Sequence, residues 1–337
     1  MLVFTDCGFL SAREFPFDNL ISRIIFKSYS LYEIFKVDHQ SLEIYCSVAT
    51  ELSITRAAKQ LGRVQSNVST RIQQLEEELG VALFLREGKR LSLTAEGERF
   101  LGYANRLLIL AEEARQMLSP QAPQGVLRLG SMESTAASRL PTPLADYHSK
   151  WPKVQLRIST GPSRPLLDAV CNGLLDCALV ALPGVGDALS PQDLEAMSLM
   201  GKTVFREELL LLLPASHPPV THPDDVVVRS LAAFGQGCSY RAIAEDWLAD
   251  TTEPQKTSID IQEMGSYHGM LACVVAGSCV SLVPRSVLEL LRDPPDLQTH
   301  PVMTVVTWLI WRRNFNTPAF AALRDVLTSS QDECRAP

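Results

Sequence analysis

The 337-residue chain has no run approaching the roughly 18 to 20 consecutive apolar residues that a membrane-spanning helix needs. Its N-terminus also lacks a basic stretch followed by an apolar core, so no export signal is read there. A membrane protein and an exported solute binder are both disfavoured, and a cytoplasmic location is expected. An excess of positive charge is missing too. The 31 Lys and Arg residues against 38 Asp and Glu leave a formal net charge of -7, which over the whole chain argues against a polyanionic partner. The marks of catalysis are absent. Six histidines (His39, His148, His217, His222, His268, His300) are scattered, with no nucleophile elbow, phosphate loop or metal-spaced cluster. No enzyme activity, metal or cofactor is expected. The eight cysteines do not suggest zinc. Cys171 and Cys177, like Cys273 and Cys279, are six apart, which on a helix turns them about 240° from each other. In a reducing compartment they read as small buried hydrophobes.

What is present is ordinary globular material, 46 % hydrophobic and 20 % charged, long enough for two or three folding units. The charge is unevenly placed: Thr55 to Ile72 contains Arg56, Lys59, Arg63 and Arg71 and no acidic residue. A local basic face on an acidic chain is therefore expected. Residues 1 to 37 match no motif, and two readings of them stand. In one, Val37 marks a GTG start codon translated from an upstream start; in the other, Ile21, Ile24, Ile25 and Phe35 form an amphipathic arm covering a neighbouring surface.

Regular patterning begins near Asp38. Three short helices are predicted at 40–49, 54–61 with Ser53 as N-cap, and 65–79 ending at Gly80. Leu42, Ile44, Tyr45, Val48, Ala57, Leu61, Val68, Ile72 and Leu75 supply their shared core. This is a helix-turn-helix pattern. A strand at 81–85, a basic turn Arg86-Glu87-Gly88-Lys89-Arg90 and a strand at 91–93 read as a wing. Thr94 then caps a long helix reaching about Leu118, with Glu96 in its first turn. Along it Phe100, Tyr103, Leu107, Leu110, Ala114 and Met117 form one apolar stripe, and Leu101, Ala104, Leu108 and Ala111 form a second beside it. So wide an apolar face predicts pairing with another copy while also covering the winged unit. An ordinary core helix is the plainer reading.

Residues 119–125 read as a hinge by composition. Beyond it strands and helices alternate: strands at 126–130, 154–159 and 177–181 with helices at 137–148 and 165–172 between them. A second series has strands at 208–213, 231–234, 258–261 and 280–283 and helices at 240–249 and 267–276. A strand at 302–311 and a helix at 318–327 close the pattern. Two Rossmann-like subdomains are expected, about 126–200 with 303–328, and 201–302, with a ligand cleft between them.

Leu42 to Gly97 resembles the LysR-type transcriptional regulators. The resemblance is carried by Ser53-Ile54-Thr55-Arg56-Ala57-Ala58, Gln65-Ser66-Asn67-Val68-Ser69, Leu75-Glu76-Glu77-Glu78-Leu79-Gly80, Leu83-Phe84 and Leu93-Thr94-Ala95-Glu96-Gly97. It continues more loosely, by layout, to about residue 328. It implies a winged helix-turn-helix (38–94), a linker and dimerisation helix (95–118) and a periplasmic-binding-protein-like α/β effector domain (126–330), its first subdomain completed by the last strand and helix. It implies double-stranded promoter DNA, a small-molecule effector, a homodimer or homotetramer and RNA polymerase as partners.

The residue chemistry agrees. The helix at 65–79 would enter the major groove, where Gln65, Ser66, Asn67, Ser69 and Thr70 suit base edges, Gln65 by a bidentate contact to adenine and Thr70 by its methyl against thymine. Arg56 and Arg71 suit phosphates, and Arg86, Lys89 and Arg90 of the wing suit backbone or minor groove. The chain departs from the family pattern at Arg63, usually apolar, at Val64, usually a Ser cap, and at Thr70, often Arg. Those departures leave open a helix start shifted by one residue with Arg63 turned outward to a phosphate.

For the effector, the resemblance points to loops after strands: Ser131, Glu133, Ser134 and Thr135, then Thr160 and Gly161, then Gly237, Cys238, Ser239 and Arg241. Helix N-termini with Arg241 suit a carboxylate and Glu133 suits an ammonium, which together suggest an amino-acid-like or amine-containing metabolite. Both side chains read equally well as surface charges. Cys238 at a helix N-terminus near Arg241 opens a thiol-switch alternative through a lowered pKa. A non-DNA-binding solute-binding protein built on the α/β portion is a further alternative.

Overall fold

The computed structural model describes residues 37–88, 90–118, 122–181, 191–252 and 258–333. Both readings of residues 1 to 36 lie outside these. Contacts divide the chain into two compact units, one ending at Leu108 and one beginning at Ile109.

The first unit opens with α1 (His39–Glu51), α2 (Ile54–Gln60) and α3 (Gln65–Leu79). Each boundary has a local cause. Asp38 accepts from the Ser41 N–H at 2.7 Å, Ser53 accepts from Arg56 N–H, and Gly80 takes a left-handed φ of 68° that ends α3. Their inward faces bury Ile44, Tyr45, Val48, Ala57, Val68, Ile72 and Leu75 in one cluster. The wing is the antiparallel pair β1 (Phe84–Glu87) and β2 (Arg90–Leu93), in register from Phe84 with Leu93 to Glu87 with Arg90. It is tighter than the sequence suggests: Arg86 and Arg90 are strand residues, and Gly88, at φ 61°, lies in the turn. The left-handed glycine lets the strands run closer to the tip than a five-residue basic turn would.

Helix α4 (Ala95–Met117) starts where Thr94 accepts from Gly97 N–H at 2.8 Å. Its two stripes separate. Phe100, Leu101, Ala104 and Leu108 pack on the cluster of the first unit. Tyr103, Leu107, Leu110 and Met117 remain 63, 50, 60 and 53 % exposed.

The second unit contains a six-stranded sheet of order β4-β3-β5-β10-β6-β9, from β3 (Gly125–Ser131), β4 (Val154–Thr160), β5 (Cys177–Val180), β6 (Leu199–Pro214), β9 (Ser281–Pro284) and β10 (Leu297–Arg312). Strand β7 (Ser230–Ala233) pairs in parallel with β8 (Asp260–Glu263) and joins the second lobe through Val280. The helices are α5 (Glu133–Ser138), α6 (Pro141–Lys150), α7 (Ser163–Cys171), α8 (Pro191–Ala196), α9 (Ser239–Ala249), α10 (Tyr267–Val275), α11 (Arg285–Leu288) and α12 (Pro318–Glu333). The single helix expected at 137–148 is two, because the chain breaks at Arg139 and Leu140 and Pro141 restarts it at the first helical position.

The two expected Rossmann-like subdomains are the two lobes of this unit, and two long strands run between them. β6 and β10 are 16-residue antiparallel strands that run through both lobes as one ribbon. At one end Trp308 to Trp311 of β10 pair with β5; at the other, Leu209 to Leu212 of β6 pair with β9. The run Leu209 to Leu213 is continuously apolar because both faces of β6 are covered there. Leu209 and Leu211 enter a core with Leu231, Ile243 and Val280, whereas Leu210 and Leu212 enter one with Ala232, Met270 and Val274. In the first lobe Leu127, Leu129, Tyr147 and Leu179 pack against Phe320 and Leu323 of α12.

Polar contacts tie the elements together. Glu207 of β6 is buried and takes Arg139 at 2.6 Å and Ser286 at 2.7 Å, and Ser138 reaches Ser286 at 3.1 Å. Near the start of this unit Arg312 pairs with Glu113 of α4 at 2.8 Å and donates to the Leu175 carbonyl. Among the described residues no helix is long and apolar enough to cross a membrane.

Candidate functional site

The first candidate surface is the start of α3. Its N-cap is Val64, which offers no side-chain bond, and the helix begins at Gln65. First-turn N–H groups without such a cap remain open to an outside acceptor. Gln65, Ser66, Asn67 and Thr70 are exposed, Ser69 is half-buried, and Val68, Ile72 and Leu75 turn inward to hold the helix down. Thr55 Oγ1 donates to the Gln65 side-chain oxygen Oε1 at 3.2 Å, which leaves the Gln65 amide NH2 pointing elsewhere. Sequence reasoning passed over Thr55, whose role is visible only once α2 and α3 are side by side.

The arginines are more constrained than the sequence suggests. Arg63 is not turned outward: it is half-buried against α1, where the Gln40 amide oxygen, in the orientation its neighbours require, accepts from both guanidinium nitrogens at 2.7 and 2.5 Å. Arg56 pairs with Glu51 at 2.9 Å. Arg71 pairs with Asp38 and reaches Gln74 at 3.3 Å. The Ser41 N–H and the Arg71 charge hold the Asp38 carboxyl below its ordinary range, so this pair is ionised at neutral pH. A phosphate at Arg56 or Arg71 would have to share or displace a carboxylate. Arg86 and Arg90 of the wing are exposed, and Lys89 lies outside the described residues.

The second candidate site is a cavity of about 220 Å³ in the second unit. The first lobe lines it with Met132, Glu133 and Ser134 at the start of α5 and with Thr160, Gly161, Pro162 and Ser163 between β4 and α7. The second lobe lines it with Phe234, with Cys238, Ser239 and Tyr240 at the start of α9, and with Gly265 and Tyr267 before α10. None of α5, α7 and α9 has a side-chain cap. Phe234 and Tyr267 meet edge to face with centroids 5.0 Å apart. Ala181 bridges the lobes here: its N–H donates to Ser163 at 3.2 Å and its carbonyl accepts from Ser239.

Six of the ten residues expected around an effector line this cavity: Glu133, Ser134, Thr160, Gly161, Cys238 and Ser239. Ser131 is buried beneath it with its hydroxyl on the Met132 carbonyl, and Thr135 is buried with no partner for Oγ1 among the described residues. Gly237 forms the turn before α9 at φ 84°. Arg241 does not reach the cavity at all. It is held by Glu245 at 2.8 Å and Glu263 at 2.7 Å, one helical turn beyond Cys238, so it cannot supply the expected carboxylate contact. The thiol reading is also corrected. Burial outweighs the nearby helix start and pushes the Cys238 thiol up, away from the thiolate that a redox switch needs. Phe234, Tyr240 and Tyr267 were missed because an aromatic residue at the end of a strand or the start of a helix reads as core until the fold places it on a cavity wall.

Comparison with known proteins converges on one family. Residues 39–98 match the bacterial regulatory helix-turn-helix protein, lysR family, and residues 120–332 match the LysR substrate binding domain. The HTH-type transcriptional regulator GltR of Bacillus subtilis (strain 168) is 35 % identical over 289 residues, 84 % of this chain and 93 % of that protein. The uncharacterized HTH-type transcriptional regulator YusT of the same organism is 35 % identical over 293 residues, 85 % of this chain and 94 % of that one. Among solved structures, a full-length OxyR variant from Pseudomonas aeruginosa has a TM-score of 0.64 at 23 % identity, covering 87 % of this chain and 95 % of that chain. Full-length CbnR complexed with its target DNA has a TM-score of 0.60 at 21 % identity, covering 87 % of this chain and 100 % of that one. With both of its parts matched in order, this chain belongs to the LysR family of bacterial transcriptional regulators, a helix-turn-helix joined to an effector-binding domain.

Proposed function

We propose that the chain binds promoter DNA through α3 and the wing, and that a small molecule in the cavity of the second unit modulates that binding or the activation of transcription. The observation that carries the reading is the start of α3. Gln65, Ser66, Asn67 and Thr70 form an exposed, uncharged, hydrogen-bonding face on a helix without a side-chain cap. A face of that chemistry suits base edges in a major groove, with arginines beside it for phosphates. The similar protein CbnR has been solved with its target DNA. Arg56, Arg63, Arg71, Arg86, Lys89 and Arg90 are the proposed basic contributors, with Arg63 acting by fixing α1 against the approach to α3. Ser69 completes the set from its half-buried position.

The exposed stripe of α4 supports self-association as a homodimer or homotetramer, which would place two copies of α3 on two half-sites. RNA polymerase is the proposed downstream partner and the cytoplasm the proposed location. The domain assignment follows: 38–94 for DNA, 95–118 for pairing, 119–125 as hinge and 126–330 for the effector, an amino-acid-like or amine-containing metabolite. Effector binding would act by population shift, favouring whichever arrangement of the lobes binds it more tightly.

Gel retardation tests the reading. Full-length protein should retard the fragment upstream of its own coding region, and affinity should fall steeply between 50 and 200 mM salt, about 10³-fold or more if six or more phosphates are contacted. Gln65→Ala should weaken the specific fragment by about tenfold and leave random DNA unchanged, since one bidentate base contact is worth ~1–3 kcal/mol. Equal affinity for specific and random fragments would defeat the proposal.

A further inference from the structure

The cavity wall carries two hydroxyls with nothing to bond. Ser134 is 2 % exposed and Tyr240 4 % exposed; both line the cavity, and neither Ser134 Oγ nor Tyr240 Oη has a hydrogen-bond partner. Ser134 lies close enough to the phenols of Tyr240 and Tyr267 to act on their charge. Burial pushes both phenols up, so they remain neutral O–H donors. Around them α7 and α9, nine and eleven residues long, present first-turn N–H groups without side-chain caps. Every one of these groups can give a hydrogen bond to an acceptor that enters. Helix N-termini favour that acceptor as an anion.

The rest of the wall limits what carries the anion. Among the described residues no Lys, Arg or His lines the cavity, and Arg241 is committed to Glu245 and Glu263. Backbone donors and hydroxyls suit one carboxylate, whereas a phosphate or a second carboxylate would lack a counter-charge. Glu133, beside Tyr267, is the carboxylate that the described residues place on the wall, and it would repel a second anionic group and attract an ammonium. The remaining surface is apolar: Met132, Pro162 and the Phe234–Tyr267 pair. The volume, about 220 Å³, equals about seven waters at ~30 Å³ each, the size of a small metabolite.

Resting on the effector-site reading above, we propose that Ser134 and Tyr240 are the specificity-determining pair of the cavity. They receive the carboxylate of an α-amino acid with an apolar or aromatic side chain, whose ammonium is taken by Glu133.

Isothermal titration of the full-length protein tests this with L-phenylalanine and L-leucine against 3-phenylpropionate, phenethylamine and glutarate. At least one of the two amino acids should bind, and phenethylamine and glutarate should bind at least tenfold more weakly or not at all. Tyr240→Phe and, separately, Ser134→Ala should each weaken the amino acid by about tenfold, the loss of one hydrogen bond to a charged group. The melting temperature of each unliganded variant is measured alongside, so that loss of a ligand contact is separated from loss of the contact between Ser134 and the phenols. Glu133→Gln should narrow the gap between L-phenylalanine and 3-phenylpropionate. Unchanged amino-acid affinity in both hydroxyl variants, tight glutarate or phenethylamine binding, or no binding of either amino acid would overturn the proposal. A separate control addresses the site itself. Gly161→Phe fills the cavity, so a ligand that binds this variant undiminished sits elsewhere, and the effector-site reading then fails with the proposal.

Discussion

At the scale of single residues, Tyr45 shows how few alternatives the first unit tolerates. Its ring is fully buried between Phe84 and Phe100, and its hydroxyl donates to the Gly97 carbonyl at 2.6 Å. Tyr45→Phe removes that bond while the carbonyl keeps its helical partner, and should cost about 1 kcal/mol, seen as a lower denaturant midpoint with an unchanged slope. Gly97 itself is required for a different reason. A Cβ there would collide with the Leu83 carbonyl, so Gly97→Val should shift the wing away from α4 and reduce DNA retention more than Tyr45→Phe does. Cys238 gives a chemical prediction. Because its thiol is raised, its thiolate fraction at pH 7 is below that of a free cysteine. Iodoacetamide should alkylate it more slowly than free cysteine at that pH, and Cys238→Ser should leave any response to peroxide unchanged; fast, selective alkylation at Cys238 would restore the thiol-switch alternative.

At the scale of elements, α4 separates what periodicity can tell from what it cannot. The two stripes are legible from spacing alone, but which one packs inside its own chain is not. That depends on the cluster of the first unit, which takes Phe100, Leu101, Ala104 and Leu108. The remaining large side chains Tyr103, Leu107, Leu110 and Met117, about half exposed, would each gain ~1 kcal/mol on burial against a second copy. Leu107→Glu with Leu110→Glu should convert the protein to monomer in light scattering while circular dichroism stays unchanged. An unaltered mass would show that another surface pairs the copies. The caps Ser53, Thr94 and Gly80 were legible because each states its geometry in one residue type. The first half of β6 was not. From Leu199 to Glu207 buried and exposed residues mix without a strict period of two, since the strand is changing neighbours along its length. The same limit applies to the cavity: polar residues after strands announced part of it, whereas Phe234, Tyr240 and Tyr267 needed the fold. Arg241 misled because its charge was visible in sequence and its partners Glu245 and Glu263 were not recognisable as such.

At the scale of the second unit, the β6–β10 ribbon and the Glu207 cluster join the two lobes. Glu207 is 2 % exposed, with Arg139 and Ser286 as its partners. Arg139→Met would strand a buried carboxylate and should destabilise this unit by about 3–5 kcal/mol in chemical denaturation, leaving the transition of the first unit in place. A loss below 1 kcal/mol would mean that water already shares the charge. The ribbon also has a consequence in time. The core of the first lobe joins Leu127 and Leu179 to Phe320 and Leu323, and β5, at Cys177–Val180, has β3 on one side but finds its other neighbour in Trp308–Trp311 of β10. During translation at ~5–20 residues per second, the half-built lobe waits on the order of ten seconds for that neighbour to emerge. The α1–α3 bundle, β1 and β2 already have all their partners by then. The chain is thus born as a finished DNA-facing unit followed by an unfinished sensor, and the last strand and helix to leave the ribosome set the moment at which the sensor first exists.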